Sequence, residues 1–172
     1  MTIQIFLADD HALVRDGLRA LLEAQPDLQV VGEAANGRDA VRRVSQLRPD
    51  VTILDIAMPE LNGLEAARQI RQECEGTQII ILSMYRSTAH VFEALRVGAR
   101  GYLLKGSAGA RVASAVQTVH TGGCYLSPEI LEGVLSPFHS RSWKETGETP
   151  DPLARLSPRE FQALQLVFEG RE

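Results

Sequence analysis

Several common signatures are missing from this 172-residue chain, and each absence removes a class of function. The two cysteines, Cys74 and Cys124, share no close spacing and match no metal or redox motif, so reduced thiols are expected. No apolar run approaches the ~20 residues of a membrane span. The first strand-like run begins at Ile3, which leaves no room for a signal peptide, and the chain reads as cytoplasmic with no membrane partner. Neither G-x-G-x-x-G nor G-x-x-x-x-G-K-S/T occurs, so dinucleotide and P-loop sites are not expected. A formal charge of −4 and a pI near 5.6 give no general basic footprint for nucleic acid. Aromatics are few, at 5%, whereas 44% of residues are hydrophobic, which predicts a sizeable and mainly aliphatic core. No internal repeat or low-complexity segment appears.

What is present is organised around Asp50 to Gly63, DVTILDIAMPELNG. Val51, Thr52, Ile53 and Leu54 form a short apolar, β-rich run that reads as a buried strand. It ends on Asp55, and Met58-Pro59 and Asn62-Gly63 follow as loop and turn signals. A carboxylate on a loop at the carboxyl end of a buried strand is where open α/β sheets place their chemistry.

Around this stretch strands and helices alternate. Ile3 to Ala8 is a strand ending in Asp9-Asp10, followed by a helix with Val14, Leu18, Leu21 and Leu22 on one stripe. Leu28 to Ala34 is a second strand, and Asn36-Gly37 turns into a helix with Val41, Val44 and Leu47 inward, stopped by Pro49. After Asp55 comes a helix lined by Leu64, Ala67 and Ile70. Gln78 to Leu82 is an apolar strand running into Ser83, and a helix from about Ser87 carries Val91, Phe92 and Leu95 to Gly98. Gly101 to Leu104 is a fifth strand, followed at once by Lys105 and by a helix with Val112, Ala115, Val116 and Val119. Five such pairs predict an α/β fold with a five-stranded parallel sheet in the flavodoxin-like order 2-1-3-4-5, covered on both faces.

The texture changes after Gly123. Ser127-Pro128-Glu129 starts a short helix that Pro137 is expected to end, and Ser136 to Asp151 reads as a polar linker. Ser157-Pro158-Arg159-Glu160 then has the form of a capping box opening a last helix with Phe161, Leu164, Val167 and Phe168 on its apolar face. One amphipathic helix cannot bury its own stripe, so this is expected to be the start of a further domain.

The predicted sheet order brings Asp9, Asp10 and Asp55 to one edge, with Ser83 and Lys105 arriving from neighbouring strand ends. At roughly 4 Å and an effective dielectric near 20, each carboxylate pair costs about 4 kcal/mol. A bound divalent cation accounts for keeping such a cluster, and oxygen ligands suit Mg2+. The same set suits phosphoryl transfer: Asp55 as nucleophile, Asp9 and Asp10 holding the metal, Lys105 and Ser83 binding phosphoryl oxygens. Each acid taken singly reads as structural; their convergence does not.

LADD, ILDIAMPELNGLEA, IIILSMYR and GARGYLLKG resemble the signature segments of the receiver domain of bacterial two-component response regulators, over residues 1 to about 122. LSPREFQALQLVFEG resembles the first helix of the LuxR/NarL-type helix-turn-helix, which implies the start of an all-α domain, so the whole resembles a NarL/FixJ-class regulator cut within its effector domain. The resemblance implies a receiver over 1–122, a linker with a short helix over 123–155, and the first effector helix over 156–172. It also implies phosphorylation of Asp55 by a sensor histidine kinase, and Mg2+ on Asp10, Asp55 and the carbonyl of Ala57, with Asp9 helping through water. Ser83 and Tyr102 match the family's switch pair, although by periodicity alone Tyr102 fits plain packing equally well. A homodimer on phosphorylation, formed through the outer helices, and control of promoter DNA by the full-length parent are implied too. The chain as given is not expected to bind DNA, since it ends before a recognition helix, and residues 121–172 hold five basic residues against eight acids.

Some positions depart from the commonest pattern. Ser83 stands where threonine is usual, Gly106 follows Lys105 where many receivers have proline, and Asn62 replaces a frequent aspartate. Ala57 and Tyr85 occupy the positions that tune dephosphorylation. Two other readings compete. A haloacid-dehalogenase-type phosphatase also uses an aspartyl nucleophile and Mg2+, but wants an aspartate two residues later, where this chain has Ala57. An interaction module that has lost phosphorylation conflicts with intact Asp9, Asp10, Asp55, Ser83 and Lys105. The chain is therefore expected to act as a phospho-acceptor switch rather than an enzyme with an external substrate. The four histidines have no metal-ligand spacing and read as surface residues, with His11 over the rim of the site.

Overall fold

The computed structural model describes residues 1–139. Six strands, β1 (Ile3–Ala8), β2 (Leu28–Ala34), β3 (Val51–Asp55), β4 (Gln78–Ser83), β5 (Gly101–Leu104) and β6 (Tyr125–Leu126), form one sheet in the order β2-β1-β3-β4-β5-β6. Every pairing is parallel. The crossovers are α1 (Ala12–Glu23), α2 (Gly37–Leu47), α3 (Gly63–Glu73), α4 (Thr88–Arg96) and α5 (Ala108–His120), and α6 (Pro128–His139) follows β6.

Side-chain alternation divides the core between the two faces of the sheet. Ile5, Leu7, Val51, Ile53, Ile80, Leu82 and Leu103 pack with Leu18 and Leu22 of α1 and Val112, Val116 and Val119 of α5. Phe6, Ala8, Leu54, Ile79, Ile81, Tyr102 and Leu104 pack with α2, α3, α4 and α6. Both faces are covered, as a parallel sheet requires. Aliphatic residues fill both layers, as the composition predicts.

Local chemistry explains the element ends. The Asn36 side chain caps α2 by accepting the Asp39 N–H at 2.8 Å, and Asn62 caps α3 by accepting that of Glu65 at 2.9 Å. Pro49 disfavours helical backbone at the preceding residue, and Arg48 ends α2 in a left-handed conformation at φ 47°.

Three expectations need correction. The sheet has six strands, not five: β6 joins β5 through the pairs Gly101–Tyr125 and Tyr102–Leu126. Tyr125 and Leu126, two of the three residues between Gly-Gly and Ser-Pro, carry no periodicity, so nothing in the sequence marked them as a strand. The following helix does not stop at Pro137 but runs to His139. Proline in a last turn removes one amide donor, while Ile130 and Val134 hold the preceding turns in the core. Leu21 and Leu47 are exposed rather than inward, because Leu18 and Leu22, and Val41 and Val44, occupy the buried arcs of their helices. The expected polar linker beyond His139 and the helix opening at Ser157 lie outside the described residues.

Among the described residues no helix is long and apolar enough to cross a membrane. Cys74 and Cys124 are unpaired, and burial pushes the Cys124 thiol up to about 11, against the pull of Arg100. No cis peptide occurs among the described residues, including the Lys105-Gly106 bond.

Candidate functional site

Strand register assembles the site. The pairing of Ala8 with Leu54 carries Asp9 alongside Asp55, the last residue of β3. Asp9, Asp55 and Lys105 share the alternation of Leu7, Ile53 and Leu103, so all three project on the α1/α5 side at the carboxyl ends of their strands. The Lys105 ammonium bridges the two acids, with Nζ 2.8 Å from Asp9 Oδ2 and 2.9 Å from Asp55 Oδ2. Asp9 and Asp55 are almost fully buried, at 1% and 2% exposure.

The bridge is incomplete. Lys105 donates a hydrogen bond to Asp55, but its contact with Asp9 Oδ2 is an ion pair without hydrogen-bond geometry, so that buried oxygen is left without a hydrogen-bond partner. Burial pushes the Asp55 carboxyl above its ordinary value and the charge of Asp9 adds to the shift, while Lys105 and the Ala57 N–H pull the other way. Burial alone would lower the Lys105 ammonium, but the close approach and charge of Asp9 and Asp55 outweigh it and hold the group above its ordinary value. One cation thus faces more negative charge than it neutralises.

Asp10 and His11 complete the cluster at the surface. The His11 N–H donates to Asp9 Oδ1 at 2.8 Å. Its ring Nδ1 lies 3.1 Å from Asp9 Oδ1 and 2.8 Å from Asp10 Oδ1. One potential ligand atom from each of Asp9, Asp10, His11 and Asp55 falls within a 4.8 Å span. The orphaned Asp9 oxygen and the predominance of hard oxygen donors fit a divalent cation such as Mg2+. Ala57 donates its N–H to Asp55 Oδ1 at 3.3 Å, and its residue is exposed, as a loop carbonyl reachable by an ion must be.

The loop after β3 comes very close to Asp55. The Gly63 N–H donates to the Ile56 carbonyl at 2.9 Å, and a Cβ on Gly63 would stand 2.0 Å from the Asp55 carbonyl oxygen. Only glycine permits this approach. On the other side, Arg15 of α1 donates Nη1–H to the Asp9 carbonyl at 2.6 Å.

Ser83 and Tyr102 form a second group. Ser83 follows the alternation of Ile79 and Ile81, opposite to that of Asp55, and shares the Tyr102 side of the sheet. The Ser83 hydroxyl accepts the Tyr85 N–H at 2.9 Å, and the buried Tyr102 hydroxyl donates to the Tyr85 carbonyl at 2.9 Å. Burial raises the Tyr102 phenol, partly offset by the Ser83 hydroxyl. The Tyr85 ring stacks on His90 at 5.2 Å between centroids. Ser83 and Tyr102 therefore meet through one loop residue, Tyr85.

All the residues singled out from the sequence, Asp9, Asp10, Asp55, Ala57, Ser83, Tyr102 and Lys105, lie at this end of the sheet. Sequence reasoning missed the direct part of His11 in the cluster, the Arg15 tether and the contact of Gly63 with Asp55. His11 was visible as the third polar residue directly after a strand end; the other two contacts depend on tertiary approach and left no sequence signal.

Comparison with known proteins agrees with this geometry. The response regulator receiver domain model matches residues 5–117. The chain is 38% identical over 169 residues to the oxygen regulatory protein NreC of Staphylococcus carnosus, covering 98% of this chain and 78% of that protein. A LuxR-family two-component response regulator from an Aurantimonas species superimposes with a TM-score of 0.77 at 34% identity, over 81% of this chain and 100% of that one. The signal receiver domain of the response regulator NarL from Mycobacterium tuberculosis gives 0.68 at 33% identity, over 70% and 98%.

Proposed function

From the premise that this chain belongs to the response regulator receiver family, as a LuxR-family two-component regulator whose activity is controlled by phosphorylation, we propose that Asp55 is its phospho-acceptor. The observation that carries this reading is the Lys105 ammonium held between two buried carboxylates, 2.9 Å from Asp55 and 2.8 Å from Asp9. An Asp55 oxygen attacks phosphorus and forms the new P–O bond while the bond to the donor's leaving group breaks. On a sensor histidine kinase that leaving group is the imidazole nitrogen. Lys105 and the Ser83 hydroxyl take the phosphoryl oxygens. When bound, Mg2+ neutralises charge on those oxygens, and Asp9, Asp10, Asp55 and the carbonyl of Ala57 are the residues that would hold it.

The Ser83 hydroxyl that would donate to a phosphoryl oxygen is the same one that accepts the Tyr85 N–H. That links the phosphate to the residue whose carbonyl holds Tyr102, and supports Ser83 and Tyr102 as the switch pair. The protein acts as a signalling switch and catalyses at most its own phosphorylation and dephosphorylation. The proposed division keeps 1–122 as receiver, 123–155 as the connecting segment, whose β6 and α6 dock on the receiver, and 156–172 as the first helix of a DNA-binding effector. Phosphorylation is proposed to pair two copies through α4 and α5, and the effector to control promoter DNA. The soluble, cytoplasmic setting of a kinase-driven regulator belongs to the same proposal.

Intact mass spectrometry after incubation with acetyl phosphate and Mg2+ tests the core of this reading. The chain should gain one phosphate mass and Asp55→Asn none. Equal labelling of the two proteins would assign the acceptor elsewhere.

A further inference from the structure

Resting on the proposed Mg2+ site, we propose that His11 is an additional, imidazole ligand there, giving the site a preference for borderline transition cations such as Ni2+ over Mg2+. Nothing in phosphoryl transfer as described above uses this side chain. Yet His11 Nδ1 lies 2.8 Å from Asp10 Oδ1 and 3.1 Å from Asp9 Oδ1, and one ligand atom from each of Asp9, Asp10, His11 and Asp55 falls within a 4.8 Å span. Ligands on adjacent corners of an octahedron with bonds of ~2.1 Å stand about 3 Å apart, so both separations suit two atoms sharing one ion.

Two further observations support the placement. The His11 amide is tied to Asp9 Oδ1 at 2.8 Å, which fixes the start of the side chain over the cluster. Within the cluster, the buried Asp9 Oδ2 has no hydrogen-bond partner and meets the Lys105 ammonium as an ion pair at 2.8 Å, which leaves that oxygen able to share a cation. Nδ1 is the ring nitrogen facing both carboxylates, and the side chain is 63% exposed, so water can take the Nε2–H when Nδ1 ligates. Carboxylates and carbonyls alone suit Mg2+, whereas an imidazole nitrogen adds most to Zn2+, Cu2+ and Ni2+. His11 would thus set which metal the site prefers without being needed for Mg2+.

The test is calorimetric titration of the full chain and of His11→Ala with Ni2+ and with Mg2+, each repeated for Ni2+ in excess Mg2+. His11→Ala should lose at least tenfold in Ni2+ affinity and change less than threefold for Mg2+, and Mg2+ should compete with Ni2+ on the wild-type chain. A smaller loss of Ni2+ affinity overturns the proposal. So does Ni2+ binding that excess Mg2+ leaves untouched, since the imidazole would then bind the ion elsewhere. Thermal melts of both proteins check that the exposed substitution leaves the fold intact. If wild type binds no Mg2+ and Asp55 takes no phosphate, the parent reading fails. Unchanged Ni2+ binding beside normal Mg2+ binding and phosphorylation removes only the role of His11.

Discussion

Replacing Lys105 by methionine keeps the aliphatic stem and deletes the one charge that faces both buried acids. Asp9 and Asp55 ligand atoms lie within a 4.8 Å span, and at an effective dielectric near 20 two unit charges at that separation repel by about 3 kcal/mol. In the wild type the ammonium, 2.8 and 2.9 Å away, offsets that repulsion. Its pKa is raised in the fold, so the stabilisation is complete below the ordinary lysine pKa and is lost only as pH climbs through the higher folded value. At neutral pH it is fully present. In EDTA at pH 7, Lys105→Met should therefore lose about 3 kcal/mol, or ~6–12 °C in Tm for a domain of this size. A divalent cation meets a doubly negative, unneutralised pair in the variant and must compete with an ammonium in the wild type. Saturating Mg2+ should consequently raise the Tm of Lys105→Met more than that of wild type, since ligand at 100 times Kd adds about 2.7 kcal/mol. Differential scanning calorimetry in EDTA and in Mg2+ gives all four values. Equal melting of the two proteins in EDTA, or a larger Mg2+ effect on wild type, would refute the balance of charge described above.

Asp55→Asn should act in the opposite sense. A carboxyl with a raised folded pKa destabilises the fold above its unfolded pKa and is relieved as pH falls through the folded value, so in EDTA at pH 7 the variant should melt higher, by about 1 kcal/mol or ~2–4 °C. The gain should vanish in acid, and a lower Tm at pH 7 would contradict the sign. Gly63→Ala places a methyl 2.0 Å from the Asp55 carbonyl oxygen; about 3 kcal/mol of destabilisation, with much slower labelling by acetyl phosphate, is expected from chemical denaturation and mass spectrometry. Ser127→Ala removes the buried hydroxyl that accepts the Leu104 N–H at 3.1 Å, and stranding that amide should cost about 1–3 kcal/mol in urea unfolding.

The elements legible in the sequence are those whose period is set by burial. The strand Ile3–Ala8 and the run Gln78–Ser83 are apolar on nearly every residue because helices cover both faces. Their ends were legible because Asp9, Asp55, Ser83 and Lys105 interrupt apolar runs abruptly. The misses share a different cause. β6 owes its existence to the open edge of β5, to which Tyr125 donates through the Arg100 carbonyl at 2.8 Å and Ser127 through that of Tyr102 at 3.0 Å, and a two-residue pairing leaves no pattern of its own. Ser127 opens the predicted short helix, and no pattern showed that its hydroxyl holds the Leu104 amide of β5. Leu21 fits the stripe of α1 but lies off the arc that Leu18 and Leu22 bury. At the site, the convergence of Asp9, Asp55 and Lys105 on one end of the sheet was legible and their pairing was not. No pattern shows that Lys105 touches Asp9 as well as Asp55, or that Gly63 abuts the backbone of the residue it helps to place.

Sheet alternation also separates two tasks that a single strand end could not hold together. Asp9, Asp55 and Lys105 project on the α1/α5 side, where their charges meet, whereas Ser83 and Tyr102 belong to the opposite side and are bound through Tyr85. β5 carries Tyr102, and Lys105 follows directly on its last residue, Leu104, so one residue of each group belongs to this short segment. The same short strand is gripped from its open edge by Ser127, which donates its N–H to the Tyr102 carbonyl and accepts the Leu104 N–H. Ser127 is also the residue from which α6 starts, anchored further by Glu129 against Arg111 of α5 at 3.0 Å. A contiguous set of bonds thus runs from the Asp55 carboxylate through Lys105 and β5 to the base of α6, with Tyr102 attached to the same strand. Packed elements of this kind shift between discrete arrangements rather than deform continuously. The phosphate proposed at Asp55 would therefore act on the strand to which both Tyr102 and the outgoing helix are bonded.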